Sequence, residues 1–277
     1  LSLEQFLEHH EEATGRQSER LSVGIGAHSL RAVSAASLLE IVKAGRKAGG
    51  PVHLHIAEQQ REVDQCLAAY ERRPVRWLLE NVGIDEQWCL VHATHMDADE
   101  TRSLASTGAV VCVCPSTEAN LGDGLFPLTD YLAAGGRLAI GSDSHISINP
   151  FEELRWLEYG QRLATRTRNV TSFRSAHVGR ELFERAVEGG AQASGQASAG
   201  LCSGAPADLV ALYGDDPMLT GHGDESRLDA LVFSGYRLPI EGVMVHGEWL
   251  VADGEHRTAA ATRDAFRAAV AAVGATR

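Results

Sequence analysis

The fold can be read from PVHLHIAEQQREVDQCLAAYERRPVRWLLENVGIDEQWCLVHATH (Pro51–His95). Two apolar runs of six and five residues, Val52–Ala57 and Trp88–His92, flank segments with the spacing of amphipathic helices. The runs do not alternate strictly between apolar and polar side chains, which is typical of parallel strands covered on both faces. The stretch therefore predicts a strand–helix–strand unit with parallel strands.

The same pattern continues on both sides of this unit. Further strands are predicted at Ser22–Ala27, Ala109–Cys114 and Arg137–Gly141. The intervening helices are predicted at Ala35–Ala48, Gln59–Glu71 running on to Val75–Asn81, Asp97–Ser106 and Leu128–Ala134. Repeated strand–helix units at this spacing predict an α/β fold.

The pattern changes in the second half of the chain. Helices are predicted at Pro150–Arg168 and Ser175–Ser194, short strands at Ala207–Tyr213, Leu228–Phe233 and Val243–Val251, and a last helix at Thr258–Val273. We therefore expect an α/β portion over residues 1–200, a small β module over 201–257 and a C-terminal helix over 258–277. The Ala- and Gly-rich stretch Gly189–Gly204 is the best candidate boundary.

Composition limits the class of partner. The chain has 277 residues, 44% hydrophobic and 22% charged, with a formal net charge of −12. Binding to nucleic acid or to an anionic membrane would require clustered Lys and Arg, so the acidic balance argues against both. No apolar run approaches the roughly 20 residues of a membrane-spanning helix. The opening LSLEQFLEHHEEATGRQSER is amphipathic and acidic, which predicts a helix cut from a longer chain and not a signal peptide.

The five cysteines predict a reduced, cytoplasmic protein, because their number is odd and no Cys-x-x-Cys spacing occurs. Cys112 and Cys114 lie two residues apart in an apolar run and so share one face of the predicted strand. They could form a metal-binding pair. Small buried core residues are the favoured interpretation.

Polar side chains occur where the predicted strands end. His28 follows the first strand, His53, His55 and Glu58 lie on or after the second, His92 ends the third, and Asp143 follows the fifth. In a barrel of parallel strands the carboxyl ends of the strands form the active-site rim. We therefore expect these groups to line one site.

The residue types at this rim favour metal-assisted hydrolysis. His55 and Asp143 offer the nitrogen and oxygen ligands that zinc and iron accept. Glu58, three residues after His55, could carry a proton, and His92 could polarise the attacked group. The ordinary alternatives are core histidines, a solvated first-turn glutamate and a helix-capping aspartate. Because His53 and His55 point to the same side of a strand, they are either two ligands or one ligand and a neighbour.

Two segments resemble a known superfamily. The run CPSTEANLGDGLFPLTDYLAAGGRLAIGSDSH (Cys114–His145) resembles the end of the barrel in the deaminase and chlorohydrolase branch of the amidohydrolase superfamily. The tail Val243–Gly254 is similar to the β-sandwich strands that accompany such barrels. The resemblance implies the C-terminal part, about strands four to eight, of a TIM-like (β/α)8 barrel, with part of a small β-sandwich module. No His-x-His pair of barrel strand one is found upstream of His28.

Five further segments resemble the formiminoglutamate deiminases of that branch. They are Ala27–Val33, Val52–Gln59, Trp88–His95, Ser116–Leu125 and Glu152–Leu163. This resemblance implies one divalent metal ion, zinc before iron, on His55 and Asp143, with His53 as a neighbour. It also implies catalytic roles for Glu58 and His92 and substrate-binding roles for His28 and Arg31.

The resemblance implies hydrolysis of N-formimino-L-glutamate to N-formyl-L-glutamate and ammonia, a step of histidine degradation, by a homo-oligomer that we expect to be a dimer. Arg31 favours this substrate, because its planar fork can bind a carboxylate. One alternative is a deaminase of the same branch that acts on a purine, pyrimidine or triazine. The other is a catalytically inactive fragment, since two metal ligands alone would hold a cation poorly.

Overall fold

The computed structural model describes residues 1–18, 20–196, 200–235 and 237–274. By contacts within the chain it forms two compact units. The first consists of Leu1–Ala199 and His222–Ser234, and the second of Gly200–Gly221 and Gly235–Arg277. The sequence assigned His222–Ser234 to the β module, but this segment returns to the first unit.

A five-stranded sheet forms the centre of the first unit. Its strands are β1 (Ile25–Ser29), β2 (Val52–Ile56), β3 (Trp88–His92), β4 (Val110–Val113) and β5 (Arg137–Ile140). They pair in chain order and are all parallel, so their carboxyl ends meet at one edge. The α/β class predicted from the strand–helix repeat is confirmed.

Helices connect and flank these strands. They are α1 (Leu3–Thr14), α2 (Ala35–Ala48), α3 (Gln60–Tyr70), α4 (Pro74–Asn81), α5 (Ala98–Ala105), α6 (Pro115–Leu121), α7 (Leu128–Ala133), α8 (Pro150–Thr165), α9 (Val178–Ala193) and α10 (Arg227–Phe233). Local signals fix several ends: the Ser34 side chain accepts a hydrogen bond from the Ser37 amide at the start of α2, and Gly49 ends that helix at φ +76°. One face of the sheet packs under the helices in a continuous apolar core that includes Leu54, Leu90 and Leu138.

The second unit contains a four-stranded antiparallel sheet. Its strands are β6 (Leu209–Leu212), β7 (Ile240–Val245), β8 (Glu248–Ala252) and β9 (Glu255–His256), followed by α11 (Ala259–Gly274). His246 and Gly247 join β7 to β8 at φ +47° and +79°, the left-handed values that a tight hairpin requires. The predicted single strand Val243–Val251 is therefore wrong, because these two residues turn the chain back on itself.

Other sequence-based boundaries also need correction. Leu228–Phe233 is not a strand: it lies in α10, where Ala230, Leu231 and Val232 are buried. A short apolar run has the same pattern as a strand or a buried helix. The first strand begins at Ile25, three residues later than predicted, and ends at Ser29, two residues later, so it includes His28. Among the described residues, no helix is long and apolar enough to cross a membrane.

Candidate active site

The predicted polar groups lie together at the carboxyl ends of the strands. The ring centroids of His28 and His55 are 5.2 Å apart, and those of His55 and His92 are 5.6 Å apart. His92 Nε2 lies 3.9 Å from Glu58 Oε1 and 3.6 Å from Asp143 Oδ2. The ends of β1, β2, β3 and β5 thus bring three imidazoles and two carboxylates to one rim.

The backbone at this rim is left-handed where the polar groups stand. His28, Ala57, His92 and Asp143 have φ values of +48°, +48°, +71° and +46°. Non-glycine residues occupy this region at a cost of roughly 1–3 kcal/mol each, and such residues cluster at functional sites. In each case the residue lies at or just after a strand end, so the turn out of the sheet sets the direction of its side chain.

A backbone contact orients the His55 ring. His55 Nδ1 lies 3.0 Å from the carbonyl oxygen of His28. Because a carbonyl only accepts, this contact requires the proton on Nδ1, and the neutral tautomer that makes it has its lone pair on Nε2. Metal-binding histidines are commonly oriented in this way by a partner on the other ring nitrogen. His55 is therefore prepared to act as a ligand through Nε2.

The His92 ring is held by a residue that the predictions missed. His92 Nδ1 is 3.1 Å from Glu118 Oε1, and both side chains are buried. Burial lowers the pKa of His92, but the hydrogen bond and negative charge of Glu118 outweigh it, so the pKa is raised. Burial in turn raises the pKa of Glu118 itself. This pairing directs Nε2 of His92 towards Glu58 and Asp143.

Glu118 follows the same rule as the residues that were predicted. It lies in α6, which begins directly after β4, the one predicted strand to which no polar rim residue was assigned. Its Oε1 also accepts a hydrogen bond from the Cys114 amide at 2.9 Å, which fixes the carboxylate at the strand end. Its position after a buried apolar strand was the available signal.

Glu58 and Arg31 form an ion pair at the rim. Arg31 Nη2 lies 3.0 Å from Glu58 Oε2, and Arg31 Nε lies 3.9 Å from the buried carboxylate of Glu62. The Glu58 amide donates to Glu62 Oε2 at 2.9 Å, so Glu62 supports the turn that carries Glu58. Burial raises the pKa of Glu62. Arg31 is one-third exposed and can therefore exchange partners at small cost.

His53 is occupied elsewhere. Its Nε2 lies 2.7 Å from the carbonyl oxygen of Ala193 at the end of α9. This contact joins β2 to α9 and gives His53 a structural role on the same strand as His55.

A model of the "Amidohydrolase family" matches residues 2–250. The chain belongs to this family. Over 236 residues it is 52% identical to the formimidoylglutamate deiminase of Pseudomonas aeruginosa, covering 85% of this chain and 52% of that protein. It is 32% identical over 231 residues to a 5-methylthioadenosine/S-adenosylhomocysteine deaminase of Halobacterium salinarum, covering 82% of this chain and 52% of that protein. The chain therefore spans about half the length of these curated relatives.

A crystal structure of an amidohydrolase from Brucella melitensis has the same fold. The TM-score is 0.90 at 41% identity, covering 98% of this chain and 60% of that one. The predicted fold class, part of a TIM-like barrel with a small β module, is thereby confirmed.

Amidohydrolases are metal-dependent, and the donors at this rim fit a divalent cation. Among the described residues, ligand atoms of His92, Cys114 and Asp143 all lie within 4.8 Å of one another. Asp143 was predicted as a ligand and belongs to this group. His55 stands on the neighbouring strand, beside His92, with Nε2 available, and is not part of it.

Proposed function

We propose that this amidohydrolase chain supplies the proton-transfer residues of a metal-dependent active site. The site hydrolyses N-formimino-L-glutamate to N-formyl-L-glutamate and ammonia. The main observation behind this proposal is that two carboxylates lie around His92 Nε2. Glu58 Oε1 is 3.9 Å away and Asp143 Oδ2 is 3.6 Å away. Support also comes from 52% identity to the formimidoylglutamate deiminase of Pseudomonas aeruginosa.

His55 and Asp143 would hold the cation, with zinc as the first choice and iron as the second. Both ions accept imidazole nitrogen and carboxylate oxygen. A bound cation lowers the pKa of water towards roughly 7, which makes hydroxide available at neutral pH. The His28 carbonyl supports the His55 role, because the neutral tautomer that donates to it through Nδ1 presents the lone pair of Nε2 to the site.

Glu58 is the proposed proton carrier. Its carboxylate lies between Arg31 and His92, with Oε2 on Arg31 and Oε1 facing the imidazole. From this position it can take a proton from the attacking water and give it to the substrate nitrogen that leaves as ammonia. Positioned proton carriers of this kind contribute typically 10²–10⁴-fold to a rate.

His92 is the proposed stabiliser of the intermediate. Glu118 favours the charged imidazolium and directs Nε2 into the site, where a hydrogen-bond donor can stabilise negative charge as it develops. A donor fixed in advance by a buried carboxylate needs no rearrangement during the reaction.

His28 and Arg31 are the proposed contacts to the substrate carboxylates. Arg31 would leave Glu58 and bind a carboxylate through its planar fork, which also frees Glu58 for proton transfer. 5-Methylthioadenosine, one of the two compounds in the second relative's name, has no carboxylate. This charge requirement therefore separates N-formimino-L-glutamate from 5-methylthioadenosine.

Ammonia release from two substrates tests the proposal. The metal-loaded protein is offered N-formimino-L-glutamate and 5-methylthioadenosine, and the Arg31→Ala variant is measured beside it. We expect release from the formimino substrate, with a KM about 10-fold or more higher in the variant, because hydrogen bonds to charged groups contribute roughly 1.5–3 kcal/mol. Release from the purine alone would replace the proposal with the purine alternative.

Three wider expectations belong to the same proposal. The protein is a cytoplasmic homodimer, its barrel portion covers residues 1–200 together with the returning segment His222–Ser234, and the rest of 201–257 and 258–277 forms the β module and the last helix. Metal analysis helps to separate the enzyme from the inactive-fragment alternative, because stoichiometric zinc or iron would argue against an inert chain.

A further inference from the structure

Cys114 brings a sulfur atom to the rim. It is the residue that follows β4, it is buried, and its Sγ lies within 4.8 Å of ligand atoms of both His92 and Asp143. The proposed deiminase reaction gives this thiol no task. Its position beside an imidazole and a carboxylate distinguishes it from Cys66, which is buried in the apolar core.

The surrounding chain holds Cys114 against the Asp143 turn. Thr117 Oγ1 donates to the Ser142 carbonyl at 2.8 Å and accepts from the His145 amide at 3.1 Å. These bonds join α6, which starts next to Cys114, to the loop that carries Asp143. A Cβ at Gly141 would lie 3.3 Å from Cys114 Sγ, so the glycine lets β5 approach the thiol closely.

The spacing fits a shared cation. Donor atoms on one tetrahedral zinc ion lie roughly 3.3–3.8 Å apart, given bonds of about 2.0–2.3 Å. The His92 Nε2 to Asp143 Oδ2 distance of 3.6 Å already falls in that range. Cys114 Sγ lies within 4.8 Å of the other two donors, so it would have to move by about 1 Å at most to bind the same ion.

We propose that Cys114, His92 and Asp143 form a binding site for a soft divalent cation such as Cd²⁺. Thiolate sulfur selects soft metals over the hard cations that oxygen ligands prefer. As the sulfur–cadmium bond forms, the thiol proton passes to solvent, and no oxidant or reductant is required. The cation enters past Asp143, whose side chain is one-third exposed, whereas His92 and Cys114 line the buried side.

Occupation of this site opposes the proposed reaction, because it engages both His92 and Asp143. Its existence does not depend on the deiminase proposal, since three donor groups suffice. Cadmium bound only at the proposed His55–Asp143 site would have no sulfur ligand. A sulfur-to-metal charge-transfer band in the ultraviolet therefore requires a thiol ligand, and substitution of individual cysteines shows which of the five supplies it.

Titration of the protein with Cd²⁺, followed by this band, tests the inference. The wild-type protein is expected to show the band with a one-to-one end point, and Cys114→Ser is expected to lose it. Two matched controls, Cys112→Ser beside the site and Cys202→Ser on the surface of the second unit, should keep it. A band that persists in Cys114→Ser, or that never forms in the wild type, overturns the assignment.

Asp143→Asn provides a second variant that leaves every thiol in place. Loss of one charged ligand is expected to weaken Cd²⁺ binding about 10-fold or more, by analogy with changes around other metal sites. Equal affinity of Asp143→Asn and wild type would contradict the site even if Cys114→Ser failed to fold. Ammonia release is measured separately, so failure of the deiminase proposal would not be mistaken for failure of this one.

Discussion

At the residue scale, the proposed site depends on histidine rings that fixed hydrogen-bond partners orient. The His28 carbonyl selects one nitrogen of His55, and Glu118 selects one nitrogen of His92. Each partner lies on a neighbouring strand end or on the helix that follows one. The useful nitrogens therefore face the rim before substrate arrives, which lowers the cost of reaching a reactive geometry.

Glu58→Gln tests the proton carrier. The amide has nearly the same shape but cannot accept a proton, so the rate of ammonia release should fall about 100-fold or more. Metal content should not change, because Glu58 is not a proposed ligand. Glu40→Gln is the matched control, since it removes an exposed carboxylate that pairs with Lys43 on the surface of α2. Equal rates in the two variants would remove Glu58 from the mechanism.

At the element scale, α9 packs against the amino ends of the parallel strands. The Gln192 side chain donates to the carbonyl oxygens of Glu86 and Gly108, at 2.8 Å each. Gly189 is buried in this helix, and a Cβ there would overlap the Leu138 carbonyl. The close approach of α9 to β5 is what requires a residue without a side chain.

Two adjacent glycines allow a matched test of this packing. Gly189→Ala should lower the free energy of unfolding by about 1–3 kcal/mol, the usual cost of overpacking. Gly190→Ala meets nothing within 4 Å and should raise it by up to about 1 kcal/mol, because alanine favours the helix. Urea unfolding measures both. A stable Gly189→Ala variant would mean that α9 does not lie this close to β5.

Glu153 joins α8 to the start of α6. Its carboxylate accepts from the Ser116 amide at 2.9 Å and from the Ser116 hydroxyl at 2.5 Å, and it is buried. Burial is the largest influence on its pKa, which is raised from 4.5 despite these bonds. A raised folded-state pKa means that the group favours folding when protonated. That contribution is complete below 4.5 and is lost as pH rises through the folded-state pKa.

Glu153→Gln should therefore change the pH dependence of stability. The amide stays neutral and can keep the hydrogen bond from the Ser116 amide. Relative to wild type, the variant should gain stability as pH rises from below 4.5 towards neutrality. Urea unfolding at pH 4 and pH 7 measures this, with Glu40→Gln, which removes an exposed carboxylate on α2, as control. A gain that appears only at the lower pH would have the wrong sign.

At the scale of the whole molecule, the sequence predicts the parallel sheet well, because strands β2 and β3 are apolar runs with clear ends. It does not predict α10, since a six-residue apolar run is compatible with a strand or a buried helix. Glu118 and Cys114 were missed as site residues for a related reason. The position of Glu118 after an apolar strand was a signal, but its role became clear through its partner His92, and a cysteine in an apolar strand has the pattern of a core residue.

The rim itself was predictable from topology. Parallel strands place their carboxyl ends together, so polar residues far apart in the chain must meet there. His28 and Asp143 are 115 positions apart in sequence, yet both lie at the same edge of the sheet, because one is near the carboxyl end of β1 and the other follows β5, the two outer strands. Topology does not fix which donors share a cation, because that depends on distances of a few tenths of an ångström.

Anomalous diffraction from crystals of the metal-loaded protein, recorded at the zinc and iron absorption edges, addresses this question directly. The account predicts a single peak bound by His55 Nε2 and the Asp143 carboxylate, with Glu58 and His92 close enough to contact its coordinated solvent. A peak bound by neither residue, or no peak in crystals grown with excess metal, would contradict the proposed chemistry. The assignment to the amidohydrolase fold would be unaffected.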